Sequence, residues 1–314
     1  MPAERKPGMD HPHYTWSPLP ARPPLRWPGG APLAVGAMVL LEHYEWSPPE
    51  GSYSLRSASG GLIKLPEPDY LRLTHREYGH RVGIFRILDT LEAHGIPPTV
   101  AVDELTAVHY PWLVDHCVGR GAELVAHGVA ASRLITSRMS EDEELDTIAR
   151  SIEAITRATG SAPAGWFGPE GVESARTPAL LASAGIRYVC DWPNDEQPYA
   201  MTVPQGELTA LPLYLEADDE QALWTRRMRL DDWHDLVVES AERLWVDGGG
   251  ADGGVSGGAG AGRHLMLTLR PWLTGQPFRM PTLERILTGI DELGPLFKAS
   301  GSGIVEAYRA ELTS

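Results

Sequence analysis

The stretch Glu123-Leu-Val-Ala-His-Gly128 is a short apolar run that ends on a histidine followed by a glycine. A continuous apolar run of this length is typical of a buried strand. In α/β barrels, catalytic residues lie directly after the strands, because the carboxyl ends of parallel strands meet on one face. The stretch therefore predicts a strand that delivers His127 to a functional site.

Three other apolar runs end in polar and aromatic residues. They are residues 35–41 before Glu42-His-Tyr-Glu45, residues 186–190 before Asp191-Trp-Pro-Asn-Asp195, and residues 265–269 before Arg270-Pro-Trp272. Helical patterns separate the runs, and this alternation predicts a parallel sheet. About seven such units favour a closed or nearly closed barrel, with an open doubly wound sheet as the alternative. No glycine-rich phosphate loop follows an early strand, which argues against nucleotide binding.

Composition divides the chain into two parts. Residues 1–34 are rich in proline and predict an extended arm packed on the barrel, and residues 35–314 predict one barrel domain. Within the barrel, residues 248–262 are nearly all glycine, alanine and serine, and they predict a flexible surface loop. Residues 46–75 are expected to form a long loop, and the last helix is expected near 282–293.

Charge and length limit the classes of partner. The 314 residues carry a net charge of −15, which argues against nucleic acid or an anionic membrane as the partner. No apolar run approaches the ~18 residues of a membrane span, and the N-terminal residues lack the apolar core of a signal peptide. We therefore expect a cytoplasmic protein, and the charge by itself does not identify a substrate.

Two strand ends carry ionisable groups suited to catalysis. Glu42 could act as a general base on water or bind a metal, although a polar loop entry would look the same. His127 could be catalytic or a structural histidine bonded to a carbonyl. Arg270 could clamp an anion or a carbonyl, or form a structural ion pair with Asp191 or Glu42.

Aromatic residues near these groups could line a pocket. In the segment from Gly165 to Glu170, Trp166 and Phe167 could form a wall, and backbone amides near Gly168 could stabilise an oxyanion. A core turn is the alternative for this segment. Asp191 could orient a catalytic group or bind a metal, or serve as a structural cap.

Five local motifs together resemble the polysaccharide deacetylase (NodB-homology) superfamily. They are Arg76-Glu-Tyr-Gly79, Glu123 to Gly128, Pro163-Ala-Gly-Trp166, Asp191-Trp192 through Tyr199, and Trp272-Leu-Thr-Gly-Gln-Pro277. The branch they resemble includes the PuuE-type allantoinases and the cyclic imide hydrolases. The resemblance implies a distorted seven-stranded (β/α) TIM-like barrel and hydrolysis of a non-peptide carbon–nitrogen bond.

The chain departs from this family at three places. The family's paired aspartates look like Glu42 and His43 here, its second metal histidine is Ala131, and its late histidine, which commonly acts as general acid, is Arg270. The resemblance therefore implies either no cofactor or one divalent, zinc-like metal on His43 and His127. A small-ligand binder that has lost catalysis and a metal-dependent glycan N-deacetylase are the alternatives to an amide hydrolase.

The hydrolase hypothesis gives each residue a role. Glu42 is the general base, His127 orients water or holds the metal, Arg270 stabilises the oxyanion, and Asp191 orients a neighbour. The residues expected to contact the substrate are Glu45, Trp166, Phe167, Trp192 and Trp272. The resemblance also allows a homo-oligomer.

Overall fold

A single curved sheet forms the centre of the protein. The computed structural model describes residues 10–53, 68–250 and 261–313. The strands in these ranges are β1 (Leu33–Leu41), β2 (Pro98–Val102), β3 (Glu123–Ala126), β4 (Gly165–Trp166), β5 (Tyr188–Val189), β6 (Tyr199–Ala200), β7 (Thr209–Ala210), β8 (Arg263–Leu269) and β9 (Leu296–Lys298). The helices are α1 (Tyr70–Tyr78), α2 (Ile84–Ala93), α3 (Glu104–His109), α4 (Pro111–Gly119), α5 (Glu141–Thr159), α6 (Thr177–Ser183), α7 (Leu230–Asp247), α8 (Met280–Asp291) and α9 (Gly301–Thr313).

The strands are ordered β6-β7-β5-β4-β3-β2-β1-β8, and β9 pairs with the start of β1. All paired strands run parallel except β6, which is antiparallel to β7. His264 of β8 spans the gap towards β7, because its ring nitrogens lie 2.9 and 2.8 Å from the carbonyl oxygens of Glu196 and Pro212. The sheet therefore curls into a half-barrel, which confirms the predicted barrel-type α/β fold. The short β6 and β9 add to the seven units expected.

Both faces of the sheet are buried, which explains why the strands are continuous apolar runs. Along β1, alternate residues from Leu33 to Leu41 pack under the helices, whereas Ala34, Met38 and Leu40 pack inside the half-barrel. Trp27 from the arm joins the inner cluster and donates its indole N–H to the carbonyl of Arg263 at 2.6 Å. The arm thus packs on the barrel over its described part, while residues 1–9 lie outside the described residues.

The loop predicted over residues 46–75 ends before residue 70. Asp69 caps α1 by accepting the Arg72 N–H at 3.2 Å, and α1 continues through a π-helical turn at Gly79–Gly83 into α2. A Cβ at Gly83 would lie 1.9 Å from the Pro271 oxygen, so glycine is required for this turn to touch the loop after β8. The contact places α1 beside the carboxyl ends of the strands. Residues 54–67 lie outside the described residues.

Other local predictions differ in outcome. Ser140 and Glu143 form the capping box of α5 that their spacing predicts. The helix expected near 282–293 is α8, but it is not the last, because α9 follows it. Of the glycine-rich loop, residues 251–260 lie outside the described residues, so its flexibility stays a prediction. None of the described helices is long and apolar enough to cross a membrane.

Candidate active site

Three side chains that directly follow strands meet at the carboxyl end of the sheet. Glu42 follows β1, His127 follows β3 and Arg270 follows β8, and all three are buried. The His127 Nε2 lies 3.6 Å from Oε1 of Glu42, and the Arg270 Nε lies 3.7 Å from its Oε2. The structure therefore holds the Glu42 carboxylate between two basic groups.

Both ring nitrogens of His127 face acceptors. Nδ1 lies 2.5 Å from the Phe167 carbonyl oxygen, while Nε2 faces Glu42. Burial alone would lower the pKa of His127, but the nearby Glu42 carboxylate outweighs it and raises that pKa above its ordinary value. For Glu42, burial alone would raise the pKa, but the nearby His127 imidazole and the charge of Arg270 outweigh it and bring that pKa below the ordinary value. The two groups therefore form a carboxylate–imidazolium pair.

Arg270 is bound mainly by three consecutive acidic residues. Its Nη1 lies 2.9 Å from both carboxylate oxygens of Asp218 and 3.2 Å from Asp219, and its Nε lies 2.8 Å from Glu220. Burial raises the pKa of Asp219 to about 7, although the charge of Arg270 opposes this. The ion pair between Arg270 and Glu42 is one of the alternatives that the sequence offered. The three acidic partners of Arg270 at positions 218–220 were not predicted. A run of three acidic residues was the only signal for them.

A second arginine extends this network. The Arg76 guanidinium carbon lies 3.4 Å from the centre of the Trp272 ring, and its Nη2 lies 3.3 Å from Glu220. Opposite charges therefore alternate from Arg76 through Glu220 and Arg270 to Glu42. The guanidinium covers one face of Trp272, which was predicted to contact substrate. Arg76 was quoted only as part of a family motif, and no local pattern assigned it to this site.

Asp191 lies in a polar cluster after β5. Its Oδ1 accepts the Gly168 N–H at 2.8 Å, so this amide is already used and is not free to bind an oxyanion as expected. Its Oδ2 and the Oε1 of Glu173 are both buried without a hydrogen-bond partner among the described residues. Burial and the charge of Asp191 raise the pKa of Glu173 to about 10, and burial raises that of Asp191 to about 6. A proton on Glu173 would satisfy both oxygens.

The two aromatic residues after β4 lie beside these groups. The Phe167 ring stacks on the His127 ring with centroids 5.3 Å apart. Trp166 is fully buried, and a Cβ placed at Gly168 would lie 3.4 Å from the Trp166 Nε1 and 3.1 Å from Asp191 Oδ2. Phe167 therefore borders the catalytic pair, and Trp166 borders the Asp191 cluster.

Three other predicted residues make separate contacts. The His43 ring packs against His109 at 5.2 Å. The Glu45 carboxylate is bound by Arg133 at 2.6 and 2.9 Å and by Ser132. The Trp192 ring packs against the arm residues His13 and Tyr14. Their expected roles in metal or substrate binding stay predictions.

The residues at this site do not fit the divalent metal of the wider family. In the described part of the chain, no group of three or more His, Cys, Asp or Glu residues could hold a metal ion. The buried Ala131 supplies no ligand where the resemblance places a histidine, and Arg270 puts a permanent cation beside Glu42. The described residues therefore supply no ligand set for this metal, and we derive no catalytic step through one.

Comparisons with known proteins agree with this fold. Residues 77–189 match the family model "Polysaccharide deacetylase". The resemblance to the polysaccharide deacetylase superfamily is thereby confirmed.

One relative is a Schizosaccharomyces pombe protein named "Putative polysaccharide deacetylase", which is 24% identical over 91% of this chain and 92% of its own. The structure resembles that of PuuE allantoinase (TM-score 0.77, 22% identity, 94% of this chain and 95% of that chain). It also resembles a "probable Polysaccharide deacetylase" from Pseudomonas aeruginosa PAO1 (TM-score 0.79, 21% identity, the same coverages).

Proposed function

We propose that this protein hydrolyses a carbon–nitrogen bond in a small amide, ring amide or ureide. The observation that carries the proposal is the buried, ionised Glu42 carboxylate between His127 and Arg270. A carboxylate base beside a fixed cation is what attack of water on an amide carbonyl requires. The similarity to an allantoinase and to deacetylases supports the same class of reaction.

The residues divide the reaction between them. Glu42 accepts a proton from water as the water oxygen bonds to the carbonyl carbon. Arg270 stabilises the negative charge that develops on the carbonyl oxygen, because its Nη2 forms no hydrogen bond within the described residues. His127 positions Glu42, and its stack with Phe167 fixes the imidazole plane.

The carboxyl groups of the site disfavour an anionic substrate. Glu42, Asp218, Asp219 and Glu220 already occupy the two arginines and His127. A substrate carboxylate would add a further negative charge, and like charges placed together cost several kcal/mol. We therefore expect lower kcat/KM for a substrate that bears a carboxylate than for its neutral amide analogue.

The test is turnover of a panel of ring ureides, cyclic imides and N-acetyl sugars, each also as a carboxylate-bearing analogue where one exists. Glu42→Gln should lower kcat/KM on the active substrate by about 10²–10⁴-fold. Glu306→Gln is the control, because Glu306 pairs with Arg187 at 3.1 Å on the surface away from the site, and it should stay near wild type. No turnover of any amide, or full activity in Glu42→Gln, would show that the proposal is wrong.

A catalytically inactive ligand-binding protein is the second candidate. It is favoured by Arg270, which stands where the resemblance places a catalytic histidine and is bound by three carboxylates. This candidate predicts a compound from the panel that raises the melting temperature but is recovered unchanged after long incubation. Product formed in proportion to enzyme concentration would exclude it.

A further inference from the structure

Glu170 has an unusual backbone conformation beside the candidate active site. It lies in the turn Pro169–Gly171 after β4 and has a φ of +57°, in the left-handed region that a residue with a Cβ rarely adopts. Strained residues of this kind persist only where the surrounding structure holds them, and they cluster at active sites.

The turn around Glu170 is held on both sides. The Gly168 N–H is bonded to Asp191, and the Gly171 N–H donates to the Gly168 carbonyl at 2.8 Å. Pro169 packs closely on Gly128, because a Cβ added at Gly128 would lie 2.8 Å from the Pro169 Cγ. Since Gly128 follows His127 directly, the turn is fixed against the catalytic pair.

The Glu170 side chain is half-buried and forms no hydrogen bond or ion pair within the described residues. The charged and titratable groups that interact with its carboxyl group are Glu42, Arg270, Glu220, Arg76 and Tyr44. Burial and the charge of Glu42 raise the pKa of Glu170 to about 7. Glu170 is therefore a partly protonated acid that shares the electrostatic environment of the ionised Glu42.

We propose that Glu170 is the catalytic acid that protonates the leaving nitrogen. This inference rests on the proposed function and completes it. Water adds to the carbonyl carbon while Glu42 accepts a proton. The carbon–nitrogen bond then breaks, and the nitrogen takes the Glu170 proton. Transfer of the proton on Glu42 to solvent, and uptake of one by Glu170, restore the enzyme.

The other groups at the site are less suited to this step. Arg270 remains charged and cannot donate a proton at neutral pH. The His127 N–H groups are directed at the Phe167 carbonyl and Glu42. Glu173 accepts the Trp192 indole N–H at 3.0 Å, and its other carboxyl oxygen belongs to the Asp191 cluster. Glu170 alone among these residues combines a titratable proton with a carboxyl group that has no partner.

The experiment compares two leaving groups on one acyl group. With the amide that wild type hydrolyses, Glu170→Gln should lower kcat/KM by about 10²–10⁴-fold. With the matching p-nitrophenyl ester, whose leaving group needs no proton, the loss should be less than about tenfold. Wild-type kcat/KM on the amide should fall as pH rises above about 7, because Glu170 loses its proton. Glu170→Gln should lack this limb and Glu170→Asp should retain it.

Glu170→Gly controls for folding, because glycine adopts the left-handed region without strain. It should melt at or above the wild-type temperature and show the same selective loss on the amide. Equal losses on amide and ester would overturn the role of Glu170 but leave the proposed function standing. A fall in kcat/KM above pH 7 that persists in Glu170→Gln would do the same. Absence of any wild-type turnover would overturn the proposed function, and this inference with it.

Discussion

Buried polar groups at the two ends of the sheet differ in whether they are hydrogen-bonded. At the amino end, the Glu123 carboxylate accepts the Tyr188 hydroxyl at 2.8 Å and the Ser302 N–H at 2.9 Å, and the Thr99 hydroxyl oxygen accepts the Gly301 N–H at 2.8 Å. At the carboxyl end, buried atoms without a hydrogen-bond partner among the described residues include Glu42 Oε2, His127 Nε2, Trp166 Nε1 and Asp191 Oδ2.

This difference indicates that the ends serve different purposes. Buried polar groups are nearly always hydrogen-bonded, because an unpaired one costs about 1–3 kcal/mol. The amino end follows this rule and stabilises the fold. The carboxyl end violates it repeatedly, as expected where protein groups are kept for a substrate. Variants at both ends test how much their polar groups contribute to stability, and Tyr188→Phe tests whether a loss of stability at the amino end leaves activity unchanged.

Removal of Arg270 should have the largest effect. Arg270→Met leaves the carboxylates of Asp218, Asp219 and Glu220 without their cation, and removing one partner of a buried ion pair costs about 3–5 kcal/mol. Urea unfolding at pH 8 should show a loss of this size. The loss should shrink towards pH 5, because the carboxylates then take up protons.

Arg285→Met is the matched control for Arg270. Arg285 pairs with Asp231 at 2.9 Å on the surface, with more than half of each side chain exposed, so its loss should cost less than about 1 kcal/mol. Equal stability of Arg270→Met and wild type at pH 8 would show that the acidic cluster does not depend on this arginine.

A change at the amino end should lower stability without lowering activity. Tyr188→Phe removes the hydroxyl that donates to Glu123, and a hydrogen bond to a charged group contributes about 1.5–3 kcal/mol. Tyr214→Phe, which loses a contact with the neutral Ser240, is the control and should cost about 1 kcal/mol. Unfolding and kcat/KM are measured on both variants. A matching fall in kcat/KM for Tyr188→Phe would mean that the two ends are coupled.

The smallest effect is expected for Glu173→Gln at low pH, where the Glu173 carboxyl group is protonated in both the folded and the unfolded protein. The ordinary pKa of 4.5 is raised to about 10 in the fold, so the folded protein keeps this proton at neutral pH. A raised pKa gives stability that is present below about pH 4.5 and is lost as pH rises towards about 10. Wild type should therefore lose stability relative to Glu173→Gln between pH 5 and pH 9 in urea unfolding.

Asp191→Asn tests which of the two carboxyl groups holds the proton. Its new amide N–H would face the protonated Glu173, so two donors would meet, and this variant should be less stable than Glu173→Gln at pH 7. The reverse order of stability would assign the proton to Asp191.

The sequence by itself determined the strands and the residues that end them. Continuous apolar runs identify strands buried on both faces, and chain connectivity places Glu42, His127 and Arg270 directly after three of them. The capping box of α5 was equally readable, because all of its hydrogen bonds lie within four residues.

Only the tertiary structure decided which other groups join these residues. Arg76 lies on a helix and Asp218 to Glu220 lie at a turn, and no local pattern shows what they pack against. The same holds for Glu170. Its positive φ and its raised pKa depend on residues that are distant in sequence and packed around it in the fold. Periodicity reports burial one segment at a time, whereas electrostatics depends on distances between segments.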